Sequence, residues 1–351
     1  MKKFISFVYD YHPLLFVFDK ESNYHLWSCE AMLEAWYEVE LVTYATTLKI
    51  EEDPNYNPKI KVVYFYNVLK LFGYIWKNRE AVIYSNTLAV PSLLIGLIWK
   101  KTIFFSHSSV FPTKYSSWYI LKKIFVKFCY RFFTKIRVIN QYESDWLIRE
   151  GFYDKGLIIP LVVPSKLLNK NISKDNNILL LWRVIPIKDP LTILKSLQLV
   201  IEKYPDLKIY QVGDYLEYRS SDNSTYQELL KKLWLNDNLI LLWRKPVKDL
   251  KIQTSIYINS SLTEGQCIAA YDAMLLGNAV CLPNMSSFKE ILNGKVLYHE
   301  PEDYVKLSEN IIWYIEHPEE KEGYIKESQK WIIENLNYER IKIEIQKGFS
   351  L

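Results

Sequence analysis

A chain of 351 residues with 49% hydrophobic side chains is long enough for two domains of ordinary size and apolar enough for large cores. Its net charge is +4, and although a basic patch could also serve nucleic acid, no recognition motif for one is present, so no nucleic-acid partner is expected. Four cysteines, at 29, 129, 267 and 281, form no CxxC pair and imply no disulfide framework, which favours a reducing cytoplasm.

The opening run MKKFISFVYDYHPLLFVF has the cationic start of a signal peptide, but Asp10 and His12 interrupt it and no small-residue cleavage site follows. It reads as a first core strand. No apolar run reaches the roughly 18 residues of a spanning helix; Leu88 to Trp99 comes closest and reads as a buried helix. Strands are predicted at Phe4–Val8, Glu40–Thr43, Lys61–Tyr66, Ala81–Tyr84, Thr102–Phe105 and Arg137–Ile139. Helices are predicted at Leu26–Trp36, Val68–Lys77, Val90–Trp99, Ser116–Phe133 and Glu143–Glu150. This alternation predicts a doubly wound parallel sheet.

From Ala81 to Tyr142 there is no Asp or Glu, while nine Lys and Arg residues fall in the same span. Within it, SSWYILKKIFVKFCYRFFTK is amphipathic, with Lys123, Lys127, Arg131 and Lys135 in one stripe at i, i+4 spacing and Trp118 among the aromatic residues of the remainder. A basic, aromatic helix of this kind suits an anionic membrane surface. The plainer alternative is a core helix whose solvent face is basic.

A seam is expected near Val162–Lys174, where Pro and Asn replace periodicity. Beyond it, Ile178–Trp182 reads as a buried parallel strand. Arg183 and Lys188 lie in the loop that leaves it, where open α/β sheets bind ligands, and two cations there would suit a diphosphate. Asp189-Pro190 then caps a helix to about Lys203, and Leu207–Val212 is the next strand, ending at Gly213.

The most informative segment is SLTEGQCIAAYDAMLLGNAV, residues 261–280. Glu264-Gly265 precedes an apolar helical run from Ile268 to Leu276 that Gly277 closes. The start of a helix offers unpaired backbone N–H groups and partial positive charge, which favour phosphate. The carboxylates of Glu264 and Asp272 suit sugar hydroxyls. Together they point to a sugar joined to a diphosphate; a buried helix with incidental acids is the plainer reading.

These segments resemble the nucleotide-sugar half of a retaining glycosyltransferase of the GT-B fold, in the large family four (glycosyl transferases group 1). The resemblance rests on Arg183, four residues, then Lys188, and on Glu264-Gly265 followed by a second carboxylate, Asp272, eight residues after the first. The segments 297–319 and 328–349 resemble that family's closing helices. It covers nearly all of residues 170–350 and is looser before residue 100.

The resemblance implies two Rossmann-like doubly wound α/β domains facing a cleft. They would be residues 1–165 on the acceptor side and 170–336 on the nucleotide-sugar side, with a terminal helix, 337–351, returning to the first. It implies transfer of a sugar from a nucleotide-diphosphate sugar to an acceptor glycan or glycolipid, with no cofactor; the basic, aromatic helix suggests a lipid-linked or membrane-proximal acceptor, and the lack of a DxD-type carboxylate pair in a suitable loop suggests that no metal is needed. Arg183 and Lys188 would grip the diphosphate with the backbone of Gly265, Gln266, Cys267 and Ile268. Glu264 would bind the donor sugar and Asp272 the ribose. His107, just after the strand Thr102–Phe105, would contact the sugar near the reacting carbon. His12, His25, His299 and His317 have no such support.

Three departures stand out. No Gly precedes Gly73, where relatives have a Gly-rich loop after the first strand, so the acceptor side does not carry over. Asp272 is one methylene shorter than the usual Glu, and Cys267 stands at a usual Gly position. Two alternatives therefore stay open: a non-catalytic GT-B partner subunit on a membrane, and another two-domain α/β enzyme. A dinucleotide enzyme is opposed by the lack of a GxGxxG after a strand.

Overall fold

The computed structural model describes residues 2–8, 24–44, 56–85, 101–105, 119–163, 167–169, 175–216, 218–243, 245, 249–250, 252–292 and 294–350. The chain divides into two compact units, residues 1–164 with 336–351, and residues 165–335.

The first unit holds seven strands: β1 (Lys3–Val8), β2 (Glu38–Tyr44), β3 (Lys61–Phe65), β4 (Val82–Ser85), β5 (Thr102–Phe105), β6 (Lys135–Val138) and β7 (Gly156–Ile158). All pair in parallel, in the order β3-β2-β1-β4-β5-β6-β7. Its described helices are α1 (Tyr24–Glu34), α2 (Val68–Lys77), α3 (Tyr119–Tyr130), α4 (Gln141–Arg149) and the terminal α11 (Tyr338–Phe349). The alternation of side chains along β1 sorts the core. Phe4 joins Leu26, Trp27 and Met32 of α1 and Ile341, Ile345 and Phe349 of α11. Ile5 and Phe7 join Leu71 and Ile75 of α2. A further cluster binds Val126 and Tyr130 of α3 to Leu147 of α4. The buried Glu40 of β2 ties the sheet edge together, forming an ion pair with Lys3 at 2.8 Å and accepting from Lys61 at 2.7 Å.

The second unit holds β8 (Ile178–Leu181), β9 (Ile209–Val212), β10 (Leu239–Leu242), β11 (Ile256–Ile258), β12 (Ala279–Pro283) and β13 (Leu297–His299). They too are parallel, in the order β10-β9-β8-β11-β12-β13. Its helices are α5 (Pro190–Lys203), α6 (Tyr226–Lys232), α7 (Ile268–Leu275), α8 (Ser286–Leu292), α9 (Tyr304–Glu316) and α10 (Pro318–Asn335). The chain runs from β8 outward to β9 and β10, then returns to place β11 on the other side of β8. The crevice between β8 and β11 is therefore a topological switch point, where doubly wound sheets receive ligands.

Local chemistry explains the boundaries of the two helices nearest this point. Asp189 caps α5, its carboxylate accepting from the N–H of Thr192, and Pro190 opens the helix. Gly277, at φ 89, closes α7, donating to Met274 O while Asn278 donates to Ala273 O. Gly213 follows β9 at φ +138, and a Cβ there would stand 1.8 Å from the carbonyl oxygen of Trp182. Only glycine allows the ends of β8 and β9 to approach so closely.

Around α3 the structure departs from the helix expected over Ser116–Phe133. The helix stops at Tyr130 in a tight turn, with Arg131 donating to Phe128 O and Phe132 to Cys129 O. Lys135 therefore does not continue a helical stripe. It begins β6, paired between β5 and β7, and its ammonium donates to Asp154 O. Arg137, one of the nine basic residues between Ala81 and Tyr142, is wholly buried. It donates to the Ile159 and Pro160 carbonyls and to Tyr84 Oη, with its guanidinium over the Trp27 ring. Lys127 pairs with Glu150 at 2.9 Å. Trp118, the expected helix Val90–Trp99 and the side chain of Lys123 lie outside the described residues. Among the described residues, no helix is long and apolar enough to cross a membrane.

Candidate active site

The site is assembled from two loops that leave β8 and β11 side by side. After β8 the chain passes Arg183, which is exposed, and makes one turn of 3-10 helix at Pro186–Lys188. After β11 it passes Asn259, Ser260 and Ser261 and reaches Glu264 before α7 begins. Three hydrogen bonds stitch the loops: Leu262 donates to Ile187 O at 2.9 Å, and Ser260 Oγ donates to the carbonyls of Lys188 and Asp189 at 2.9 and 2.8 Å. This stitching fixes the position of Lys188 although it lies 76 residues from Glu264.

Lys188 Nζ makes a direct ion pair with a Glu264 carboxylate oxygen. Burial works against the lysine charge, but the neighbouring Glu264 outweighs it and holds the Lys188 pKa above the usual lysine range. Ser261 Oγ donates to the same carboxylate at 3.0 Å, and Ser287 Oγ donates to Glu264 O at 3.1 Å. The carboxylate is thus oriented by a cation and a hydroxyl, and its backbone is anchored from α8.

The turn into α7 carries Gly265, Gln266 and Cys267, all buried. Cys267 is the N-cap, with φ −76 and no side-chain cap bond. This ordinary φ explains how a cysteine stands where a glycine was expected. Burial, reinforced by the Glu264 charge, pushes its thiol up to about 12, so it remains a neutral SH. Asn259 Nδ2 approaches Cys267 Sγ at 3.5 Å and Tyr257 Oη at 3.4 Å, packing the turn from below. The Ile268 N–H, expected among the free donors, donates to Gln266 O at 2.9 Å.

Asp272 lies in the second turn of α7. Burial pushes its carboxyl up to about 7, and its Oδ1 has no hydrogen-bond partner. A buried acceptor left in this state is costly unless a ligand donor completes it. The structure therefore brings Lys188 and Glu264 into contact, places Asp272 on the helix that Glu264 introduces, and leaves Arg183 in the loop after β8 that also carries Lys188. His107 lies outside the described residues.

Sequence reasoning missed the supporting residues. Ser260, Ser261 and Ser287 sit in loops or at a helix start, with no periodic signal. His299, set aside in the sequence, is 1% exposed at the end of β13 and brackets the site from behind. Its ring nitrogens face Glu300 O at 2.8 Å and Asn259 O at 3.0 Å.

Comparison with known proteins gives consistent results. Residues 167–331 match the model of the family described as glycosyl transferases group 1. Protein CapJ of Staphylococcus aureus is 26% identical over 220 residues, 61% of this chain, and the match spans about half (54%) of that protein's length. Among solved structures, Anabaena HepE in complex with UDP and glucose superposes with a TM-score of 0.76 at 16% identity, covering all of both chains. A point mutant of Staphylococcus aureus TarM, in complex with fondaparinux, α-GlcNAc-glycerol and UDP, gives 0.75 at 10% identity over all of both chains. Sucrose-phosphate synthase of Thermosynechococcus elongatus gives 0.72 at 15% identity, covering 99% of this chain and 98% of that one. These likenesses establish the fold class, two parallel-sheet α/β domains of GT-B type.

Proposed function

We propose that this chain is a retaining, metal-independent glycosyltransferase that moves a sugar from a nucleotide-diphosphate sugar to a glycan or glycolipid acceptor. The observation that carries the reading is the Lys188–Glu264 pair at the switch point between β8 and β11, set at the mouth of α7. A cation and a carboxylate held together there match the two halves of such a donor. UDP sugars are the first candidates, because solved structures of the same fold hold UDP.

In the structure, Lys188 and Glu264 pair with each other. Donor binding would exchange that pair: Lys188 turns to the diphosphate with Arg183, and Glu264 accepts from sugar hydroxyls. Lys188, Arg183 and the α7 N-terminus with Gly265, Gln266 and Cys267 then stabilise the negative charge that develops on the departing nucleotide. That positive charge is what makes a metal dispensable in this reading. Asp272 would accept from the ribose hydroxyls, which supply the partners its Oδ1 lacks. His107 is assigned to the sugar near the reacting carbon. The leaving phosphate helps to deprotonate the acceptor, so no enzymic nucleophile is required.

A membrane-proximal acceptor is favoured by α3, whose outward face leaves Ile124, Phe125 and Phe128 exposed at 61%, 47% and 48%, with the exposed Arg131 beside them. Aromatic and basic groups on one outward face suit a peripheral position on an anionic bilayer. Incubation with a panel of nucleotide-diphosphate sugars tests the central reading. Sugar release from at least one donor, and an NMR-defined product linkage with the donor's anomeric configuration, are expected. Inversion would refute the mechanism, and no release from any donor would favour a non-catalytic partner.

A further inference from the structure

The first unit contains a cavity of about 590 Å³ that the reaction proposed above does not use. It is lined by Trp36, Tyr338, Glu30, Glu34, Asn57 and Lys59, among others. Trp36 stands two residues before β2 and Lys59 two before β3, so the cavity lies at the amino ends of those strands. That is the opposite edge of the sheet from the carboxyl ends, where doubly wound folds bind reacting ligands.

Trp36 is the unusual residue. The helix α1 closes with Trp36 N–H on Leu33 O at 3.0 Å and Tyr37 N–H on Met32 O at 3.1 Å. This is the arrangement that places a left-handed residue just past a helix, a position strongly preferred by glycine. Here a tryptophan adopts it, at φ 65, and remains 84% exposed. Neither backbone preference nor burial accounts for a large aromatic side chain there.

The rest of the lining gives the indole a purpose. A pyranose ring has an apolar C–H face and a rim of hydroxyls that both donate and accept. A flat exposed indole fits the face. The carboxylates of Glu30 and Glu34, the amide of Asn57 and the ammonium of Lys59 fit the rim. Tyr338 adds a donor: its Oη is buried with no hydrogen-bond partner. Burial, with the charges of Glu30, Glu34 and Glu339, pushes that phenol up, so it stays protonated. A ligand hydroxyl would complete it. Two carboxylates against one lysine on the wall disfavour phosphates and other anions, and Lys342 already bridges Glu34 and Glu339 at 2.8 and 2.6 Å. We propose that this cavity is a second, non-catalytic saccharide site, in which Trp36 stacks on a neutral sugar ring and the surrounding polar groups bind its hydroxyls.

The site would hold a part of a glycan remote from the reacting end. Its ligand class follows from the lining alone and does not depend on the donor site. Trp234 supplies an internal control, because it occupies the same left-handed position after α6, at φ 59 and 82% exposed. The protein is labelled with 5-fluorotryptophan, and the Trp36 and Trp234 fluorine resonances are assigned with Trp36→Gly and Trp234→Gly. Maltotetraose, cellotetraose and chitotetraose are then titrated to the millimolar range. At least one should shift the Trp36 resonance saturably and leave Trp234 in place. Titration calorimetry with the same oligosaccharide, which needs no label, should show the binding abolished in Trp36→Gly; that variant should melt no lower than the wild type because glycine suits the backbone, and leave any donor hydrolysis unchanged. Tyr338→Phe should weaken binding severalfold. No shift at Trp36 with any of the three, equal shifts at both tryptophans, or undiminished binding by Trp36→Gly would overturn the proposal. The readout needs no donor, so a wild type that hydrolyses no nucleotide sugar would sink the proposed function and leave this inference standing.

Discussion

Asp272→Asn removes the only ionisable acid from α7, a helix otherwise built of apolar residues. Burial raises the Asp272 carboxyl from 3.8 to about 7. Between those values the folded chain keeps a proton that the unfolded chain has lost, so the carboxyl makes stability fall as pH rises through that window. The gap, 7 − 3.8 or about 3 units, corresponds to ~4 kcal/mol at alkaline pH, of which roughly 2.5 kcal/mol develops between pH 5 and 8. The Asn variant has no such ionisation. Urea titrations at fixed pH should therefore show its stability gaining on the wild type by about 2.5 kcal/mol from pH 5 to 8. Ligand binding should reveal the same group. Ribose hydroxyls donate to a carboxylate better than to a carboxylic acid, so wild-type affinity for a UDP sugar, whose diphosphate does not itself titrate in this range, should rise from pH 5 to 8 with release of a proton. Calorimetry in buffers of different ionisation enthalpy reads that proton. Parallel stability curves for the two proteins, or proton release that persists in Asp272→Asn, would refute the reasoning.

Other perturbations test neighbouring parts of the account. Glu264→Gln should reduce donor turnover far more than affinity for the free nucleotide, and Ser261→Ala should do the same more weakly, because the serine only orients the carboxylate; comparable losses in both quantities would count against sugar contact by Glu264. Gly213→Ala should destabilise the second unit by about 3 kcal/mol or more, since the new Cβ meets the Trp182 carbonyl and the φ is positive; an unchanged urea midpoint would contradict this. Replacing Phe125, Phe128 and Arg131 by Ser should release the protein from anionic vesicles at low salt without lowering its melting temperature. Equal co-sedimentation with the wild type would leave α3 as scaffold.

The parts of the fold governed by local chemistry were readable in the sequence. Asp189-Pro190 announced α5 and Gly277 the end of α7, because capping and left-handed closure depend on a few adjacent residues. Strand–helix alternation announced both parallel sheets. The candidate site was readable in part: the loop cations after Ile178–Trp182 and the Glu264 helix start each suggested a phosphate or sugar ligand, but nothing local says that Lys188 meets Glu264 across 76 residues. Its supports, Ser260, Ser261 and His299, act through backbone carbonyls or a single carboxylate, and such contacts leave no pattern in composition or period. The charge run misled for the opposite reason. Phe132 and Phe133 prolong the apolar pattern past the true end of α3, and no Gly or Pro marks the stop. Arg137 looks like its basic neighbours, yet three oxygen acceptors and an indole make it a core residue.

The central claim is that Lys188 serves the diphosphate of a nucleotide sugar. The most direct measurement is the rate of hydrolysis of the best nucleotide-sugar donor by wild type and Lys188→Ala, in EDTA, with folding checked by circular dichroism. The account predicts a wild-type rate that EDTA does not alter and a fall of two or more orders of magnitude in the variant, in keeping with losses of ~3 kcal/mol when a preorganised charge-stabilising group is removed. A folded Lys188→Ala that turns over at the wild-type rate, or wild-type activity abolished by EDTA and restored by manganese, would contradict it.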